Sequence, residues 1–355
     1  MNPSQCRSPH STHHSARPAH SFAAALRRVR TVLGRTSLSA ILAVVSFGCS
    51  MSTHATRPAR LGQAVSSDAL VAVLERPGPV VLEKIVAGDW VVERSGLINL
   101  GSEKARDAGL EDGGEPIHLY VYALHHPRLG TYIVDSGLEE RFRAEGGNDR
   151  VGAILAAAMN TDALVVRTST KEWLAKQRER VAGVFLTHMH FDHVLGLPDL
   201  PDDTPIYTGP GEARAKGLLH AFVSGTVDRM LEGKGPIREW RFQPDPAGRF
   251  DGVLDVFGDA SVFALHVPGH SPGSTAFVVR TPDGPHLLAG DVSHTRWGWE
   301  HDVEPGTFSN DAAQSALTFH RLRAFAAAHP QLTVHLGHQA LREPTRKPSA
   351  ALAAQ

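Results

Sequence analysis

From about residue 65 onward, short apolar runs alternate with polar stretches punctuated by Gly and Pro. Asp68–Leu74 reads as a short helix stopped by Arg76-Pro77-Gly78, with Val80–Val86 and Trp90–Glu93 as strands behind it. Ile117–Leu124 (IHLYVYAL) follows the period of two expected of a half-buried strand. Thr131–Val134 comes after the turn residues Pro127-Arg128-Leu129-Gly130, so the two runs predict a hairpin. Helices are expected over Gly152–Met159, Lys171–Arg180, Gly211–Leu219, Val223–Leu231 and Ala312–His329. Further strands are expected at Val181–Thr187, Val253–Val256, Val262–Val267, Ala276–Arg280, His286–Ala289 and Leu332–Leu336. Strands interleaved with helices, some in hairpins and none in a repeat, predict an α/β fold of mixed sheets covered by helices. One domain is expected over residues 61–345, followed by a flexible tail at 346–355.

The first sixty residues carry no such period. Arg27, Arg28, Arg30 and Arg35 precede the apolar run Leu38–Phe47, which ends in Gly48-Cys49-Ser50. A basic stretch, an apolar stretch and small residues read as a secretory signal. The run is too short to span a bilayer, which takes about 20 apolar residues. Gly48-Cys49 resembles the end of a bacterial lipoprotein signal, which implies a lipid anchor through Cys49 and a periplasmic or membrane-anchored protein. Cleavage after Thr53-His54-Ala55 is the competing reading. Residues 1–60 are therefore expected to be an export segment and disordered linker.

Composition narrows the chemistry. Of 355 residues, 42% are hydrophobic and 21% charged, enough apolar material for a core. The 36 Lys+Arg against 37 Asp+Glu argue against a dedicated nucleic-acid binder, which would show a basic excess. Histidine occurs 21 times and cysteine twice, at Cys6 and Cys49. Metal chemistry in the body of the chain must then use nitrogen and oxygen ligands, and an exported domain would have no disulfide.

Thr187-His188-Met189-His190-Phe191-Asp192-His193 is the densest candidate. On a strand His188 and His190 point the same way, and a tight turn beyond them brings Asp192 and His193 to a neighbouring point. One segment can thus serve two ions, His188 and His190 for the first, Asp192 and His193 for the second. Imidazole and carboxylate suit zinc, and also iron or manganese. Paired divalent ions are a known hydrolytic device.

This segment resembles the metal-binding motif of the metallo-β-lactamase superfamily, and three later segments follow in the same order. Val267-Pro268-Gly269-His270, Leu288-Ala289-Gly290-Asp291 and Val334-His335-Leu336-Gly337-His338 each follow a β-like run. The resemblance implies a four-layer αβ/βα sandwich with two mixed sheets. It also implies that His188, His190 and His270 hold one metal, that Asp192, His193 and His338 hold the other, and that Asp291 bridges them. His335 is the alternative to His338, which the preceding Gly337 favours; His266 is expected to support rather than ligate.

Within the superfamily, Phe191, the long middle insert Gly211–Trp240 and the run Val134-Asp135-Ser136-Gly137 most resemble the N-acyl homoserine lactonases. That implies a lactone or ester hydrolase with two zinc ions and a small-molecule substrate, acting by attack of a metal-bridging hydroxide; a dimer is compatible. Asp192 would pass a proton to the leaving group and Asp291 would hold the ions together. His294 stands where such lactonases often carry a tyrosine, and would donate to the developing oxyanion. The same scaffold also serves thioesterases of the glyoxalase II type, phosphodiesterases and iron sulfur-dioxygenases. A non-catalytic exported binding protein is the third reading, which the intact ligand set disfavours. The insert is expected to form part of a lid, and Trp297 and Trp299 either wall the pocket or fill the core. His125-His126 either faces the site mouth or is merely solvated.

Overall fold

In a computed structural model, residues 50–216 and 220–341 are described, with only the backbone at residues 220–222. The expected signal run Leu38–Phe47, Cys49 and the tail at 346–355 lie outside the described residues.

Alternation along the strands sets the layers. The first sheet runs β1 (Thr56–Pro58), β9 (Ile237–Glu239), β8 (Ile206–Thr208), β7 (Val181–Phe185), β5 (Gly130–Val134), β4 (Gly114–His126), β3 (Val81–Glu93) and β6 (Val165–Val166). The second runs β14 (Thr333–His335), β13 (Gly284–Leu288), β12 (Thr275–Thr281), β11 (Val262–His266), β10 (Gly252–Asp255) and β2 (Gln63–Val65). Both are mixed: β3, β4 and β5 pair antiparallel while β5, β7, β8 and β9 pair parallel, and β14 lies parallel to β13 beside an antiparallel meander. On β4, Tyr120, Tyr122 and Leu124 join Phe277, Val279 and Leu288 of the second sheet in a core between the sheets. The intervening Ile117, Leu119, Val121 and Ala123 face outward into a second core, with Phe191, Val227 and Met230 from the covering helices. Ala276 and Val278 of β12 pack against Phe319, Leu322 and Phe325 of the long helix Ala312–Ala328. Helix, sheet, sheet and helix form the four layers of an α/β sandwich.

Several elements depart from the sequence reading. Val81–Glu93 is one strand where two were expected, because the Gly88-Asp89 interruption falls at a bulge between Val86 and Gly88 and pairing to β4 resumes beyond it. The helix expected over Lys171–Arg180 closes after Leu174, although Ser169 and Glu172 give it a full capping box. Residues 211–216, expected to be helical, form turns and an extended bridge, and residues 217–219 lie outside the described residues. The boundary at residue 60 is also displaced. Met51 is fully buried, its N–H donates to the Ala215 carbonyl at 2.9 Å, and Thr56–Pro58 pairs parallel with β9. Segments this short have too few positions for a period to show, and a tertiary partner defines them instead.

Candidate metal centre

Each candidate ligand stands just past the C-terminal end of a strand. His188 and His190 follow β7, His270 follows β11, Asp291 follows β13, and His338 follows β14. His190 is the N-cap of the short helix Phe191–Val194, and that single turn swings Asp192 and His193 away from the line of His188 and His190. The change of direction expected from the motif is therefore a strand end followed by one helical turn. Gly337 is required here, because a Cβ in its place would lie 2.2 Å from Asp291 Oδ1.

Two clusters result. In the first, His270 Nε2 lies 3.1 Å from His188 Nε2 and 2.8 Å from His190 Nδ1. In the second, Asp192 Oδ2 is 3.5 Å from both His193 Nε2 and His338 Nε2. Asp291 Oδ2 sits between them, at 3.2 Å from His338 Nε2, 3.4 Å from His193 Nε2, 3.4 Å from His270 Nε2 and 3.7 Å from His188 Nε2. His193 Nε2 and Asp291 Oδ1 are buried and, among the described residues, have no hydrogen-bond partner. Buried lone pairs aimed at common points, with so few donors among them, fit divalent cations with nitrogen and oxygen ligands. Both clusters combine the donor types that suit zinc.

For His338, His193 and His188 a partner on the far side of the ring fixes which nitrogen is free. His338 Nδ1–H donates to the His118 carbonyl at 3.0 Å, leaving Nε2 toward the centre. His193 Nδ1–H donates to Asp135 Oδ2 at 2.9 Å, and Asp135 also accepts from the Thr187 N–H and hydroxyl. His188 Nδ1 meets Thr187 Oγ1 at 3.1 Å. Such outer contacts orient metal-binding histidines and select their tautomer. The sequence did not reveal them; Asp135 was visible only as part of a resemblance, with no signal for its partner.

Charge separates the clusters. Burial, with the neighbouring imidazoles, holds His188 and His270 well below the usual histidine range. Burial opposes the charged form of His193 as well, but Asp135, Asp192 and Asp291 outweigh it and raise this ring well above that range. Burial is likewise overcome at His338, which Asp291 and Asp192 raise. Asp291 itself is held well below the carboxylate range, because His338, His294 and His193 outweigh its burial.

His294 belongs to the centre. Its Nε2 lies 3.3 Å from Asp291 Oδ2, and its ring stacks parallel to that of His338 at 5.8 Å. Its Nδ1–H donates to the Leu97 carbonyl at 3.2 Å, which leaves Nε2 facing the centre. Donation to an oxyanion, the role expected from the sequence, requires a second proton on this ring. Other candidates sort clearly. His335 Nε2 turns to His286 Nδ1 at 3.0 Å and joins neither cluster. His266 stacks on Phe242 and bonds the Pro272 carbonyl in the His270 loop. His126 is buried against Asp259 and His125 bonds Thr131, so both secure the hairpin. Phe191 packs edge-on to Trp90 and Trp299 edge-on to Phe319, both in the core, while Trp297 stacks on His301.

A sequence profile of the Metallo-beta-lactamase superfamily matches residues 112–338, more than half of the chain. This chain belongs to the metallo-beta-lactamase superfamily. Among its relatives in that superfamily is N-acyl homoserine lactonase AttM of Agrobacterium fabrum, 31% identical over 156 residues, which cover 44% of this chain and 57% of that one. The chain thus spans little more than half the length of this curated relative. The fold is similar to that of an N-acyl homoserine lactone hydrolase bound to N-hexanoyl-L-homoserine, with a TM-score of 0.52, 19% identity, and coverage of 72% of this chain and 92% of that one. It is also similar to AidC, described as a dizinc quorum-quenching lactonase, with a TM-score of 0.50, 12% identity, and coverage of 78% and 90%. These superfamily structures bear on the fold alone.

Proposed function

We propose that this chain is a dinuclear metal-dependent hydrolase that opens a lactone or ester of the N-acyl homoserine lactone type. One observation carries the reading: Asp291 Oδ2 lies within 3.7 Å of ring nitrogens from both clusters, so a single carboxylate serves two adjoining cation sites. His188, His190 and His270 would hold one ion and Asp192, His193 and His338 the other, with Asp291 shared. Zinc suits this set, and iron and manganese are compatible with it. Two such ions, when bound, supply a hydroxide nucleophile near neutral pH and polarise the substrate carbonyl.

The chain's own groups supply the rest. Asp291 fixes the separation of the two clusters, and the rings beyond it are locked by Asp135, Thr187 and the His118 carbonyl. Asp192 is the more exposed of the two carboxylates, so it can pass a proton to the departing alkoxide and exchange it with solvent. His294, buried beside Asp291, presents its Nε2 to the same space. Relatives named as lactonases support the substrate class, and a small molecule rather than a nucleic acid fits the balanced charge.

Turnover of an N-acyl homoserine lactone, a thioester and a phosphodiester by the zinc-loaded full chain tests the reading. The lactone should be preferred by at least about tenfold in kcat/KM; preference for either other substrate would overturn it. Export, with a lipid on Cys49, is a separate part of the proposal resting on sequence alone. Fractionation of cells carrying the tagged full chain tests it, and recovery in the cytoplasm would refute it.

A further inference from the structure

The middle insert begins with a carboxylate that no candidate role so far accounts for. Glu212 is completely buried. Its Oε1 accepts the Met189 N–H at 2.9 Å, between His188 and His190. Its Oε2 accepts the Ser271 hydroxyl at 2.7 Å and the Gly273 N–H at 2.8 Å, directly after His270. One side chain therefore ties together the two loops that deliver the first cluster, although His188 and His270 are 82 positions apart in sequence.

The surroundings hold that side chain in place. A Cβ at Gly209 would fall 1.7 Å from the Gly273 carbonyl oxygen, so the strand leading to Glu212 lies directly against the His270 loop. On the other side, the N–H groups of Met51 and Ser52 donate to the Ala215 and Ala213 carbonyls, each at 2.9 Å. The Thr53 N–H and hydroxyl bond Asp228 on the helix His220–Met230.

We propose that Glu212 is a positioning residue for the first metal cluster: it clamps the His188–His190 loop to the His270 loop and so sets the spacing of the three imidazoles. This rests on the reading of those histidines as ligands. Donors from both loops converge on Glu212, which an acceptor-only carboxylate can satisfy. Glutamine, of the same shape, would have to turn its amide protons toward either Met189 N–H or the Ser271–Gly273 donors. With the clamp, the rings are gathered before an ion arrives; without it, the two loops can part, and the ion must draw them back together.

Zinc titration of the full-length apoprotein against a chromophoric chelator, with a melting curve for each variant, tests this. The wild-type chain should take up two zinc ions. Glu212→Gln should lower the affinity for one of them by about tenfold or more and leave the other within about threefold, with cooperative melting of the apoprotein retained. Ser271→Ala, which removes one of these bonds and leaves those from Met189 and Gly273, should lower the same affinity by a smaller factor of about threefold. Two affinities equal to wild type in Glu212→Gln would overturn the clamp, as would an equal fall in both. If Glu212→Gln does not fold, unchanged affinities in Ser271→Ala would overturn it. A wild-type chain that takes up no zinc would overturn the ligand reading and the clamp with it, whereas two zinc ions in wild type and variant alike would overturn the clamp alone.

Discussion

His188, His190 and His270 meet as three imidazoles on two loops, whereas Asp192, His193, His338 and Asp291 bring two imidazoles together with two carboxylates. The first group is braced through backbone N–H groups, the second through the far nitrogens of its own rings. The metal-free electrostatics differ accordingly. Burial and neighbouring imidazoles lower the pKa of two rings of the first group, while the carboxylates around His193 and His338 raise theirs. Protons therefore compete with an ion more strongly in the second group than in the first. Two adjoining sites in one pocket can in this way respond differently to acid, to chelators and to mutation, with Asp291 as the group they share.

The strongest way to break that contrast is to remove what the two groups share. Asp291→Ala should abolish hydrolysis and reduce bound metal while leaving a cooperative melting transition; metal analysis and turnover check it, and full activity would contradict the shared role. Next in size is Asp135→Asn, which replaces the acceptor of the His193 Nδ1–H. It should weaken the second ion by about 10- to 100-fold and leave the first nearly unchanged, as chelator competition would show. Equal weakening of both would merge the two groups into one unit. Acidification sharpens the contrast further. Because the metal-free pKa of His193 and His338 is raised, protons compete for these rings at a higher pH than for His188 and His270, whose pKa is lowered. Zinc should therefore leave the second group first as pH falls, with proton uptake measurable by titration calorimetry; loss from the first group first would reverse the assignment.

The smallest expected effect is at His294. His294→Phe should lower kcat by about tenfold with little change in KM, less than the hundredfold or more typical of a deleted oxyanion donor. With its Nδ1–H bound to the Leu97 carbonyl, an uncharged His294 offers only an acceptor at Nε2, and in that role His294→Tyr should not restore the loss. Full recovery by tyrosine would instead assign His294 the donor role.

His188, His190, Asp192 and His193 stood out in the sequence as one dense local segment at a strand end, whereas His270, Asp291 and His338 were expected from the family resemblance. The mixed sheets were readable because the alternation in β4 and the short apolar runs of β11, β12 and β13 mark strands between helical stretches, while the four-layer arrangement came with the resemblance. What escaped was non-local. Asp135 reaches His193 across 58 positions and Glu212 reaches Ser271 across 59, and no pattern in either neighbourhood announces the other. The strap at residues 50–58 escaped because its three-residue strand and the buried Met51 acquire meaning only against β9 and residues 213–216. The role given to His294 was limited differently: its position was legible, but its proton is decided by a backbone carbonyl 197 positions away.

Metal stoichiometry measured alongside lactone turnover in the full chain tests the central claim most directly. The account predicts two divalent ions per chain, loss of turnover when a chelator strips them, and recovery when zinc is returned. Lactone turnover that persists in metal-free protein, or full activity with one ion per chain, would contradict it.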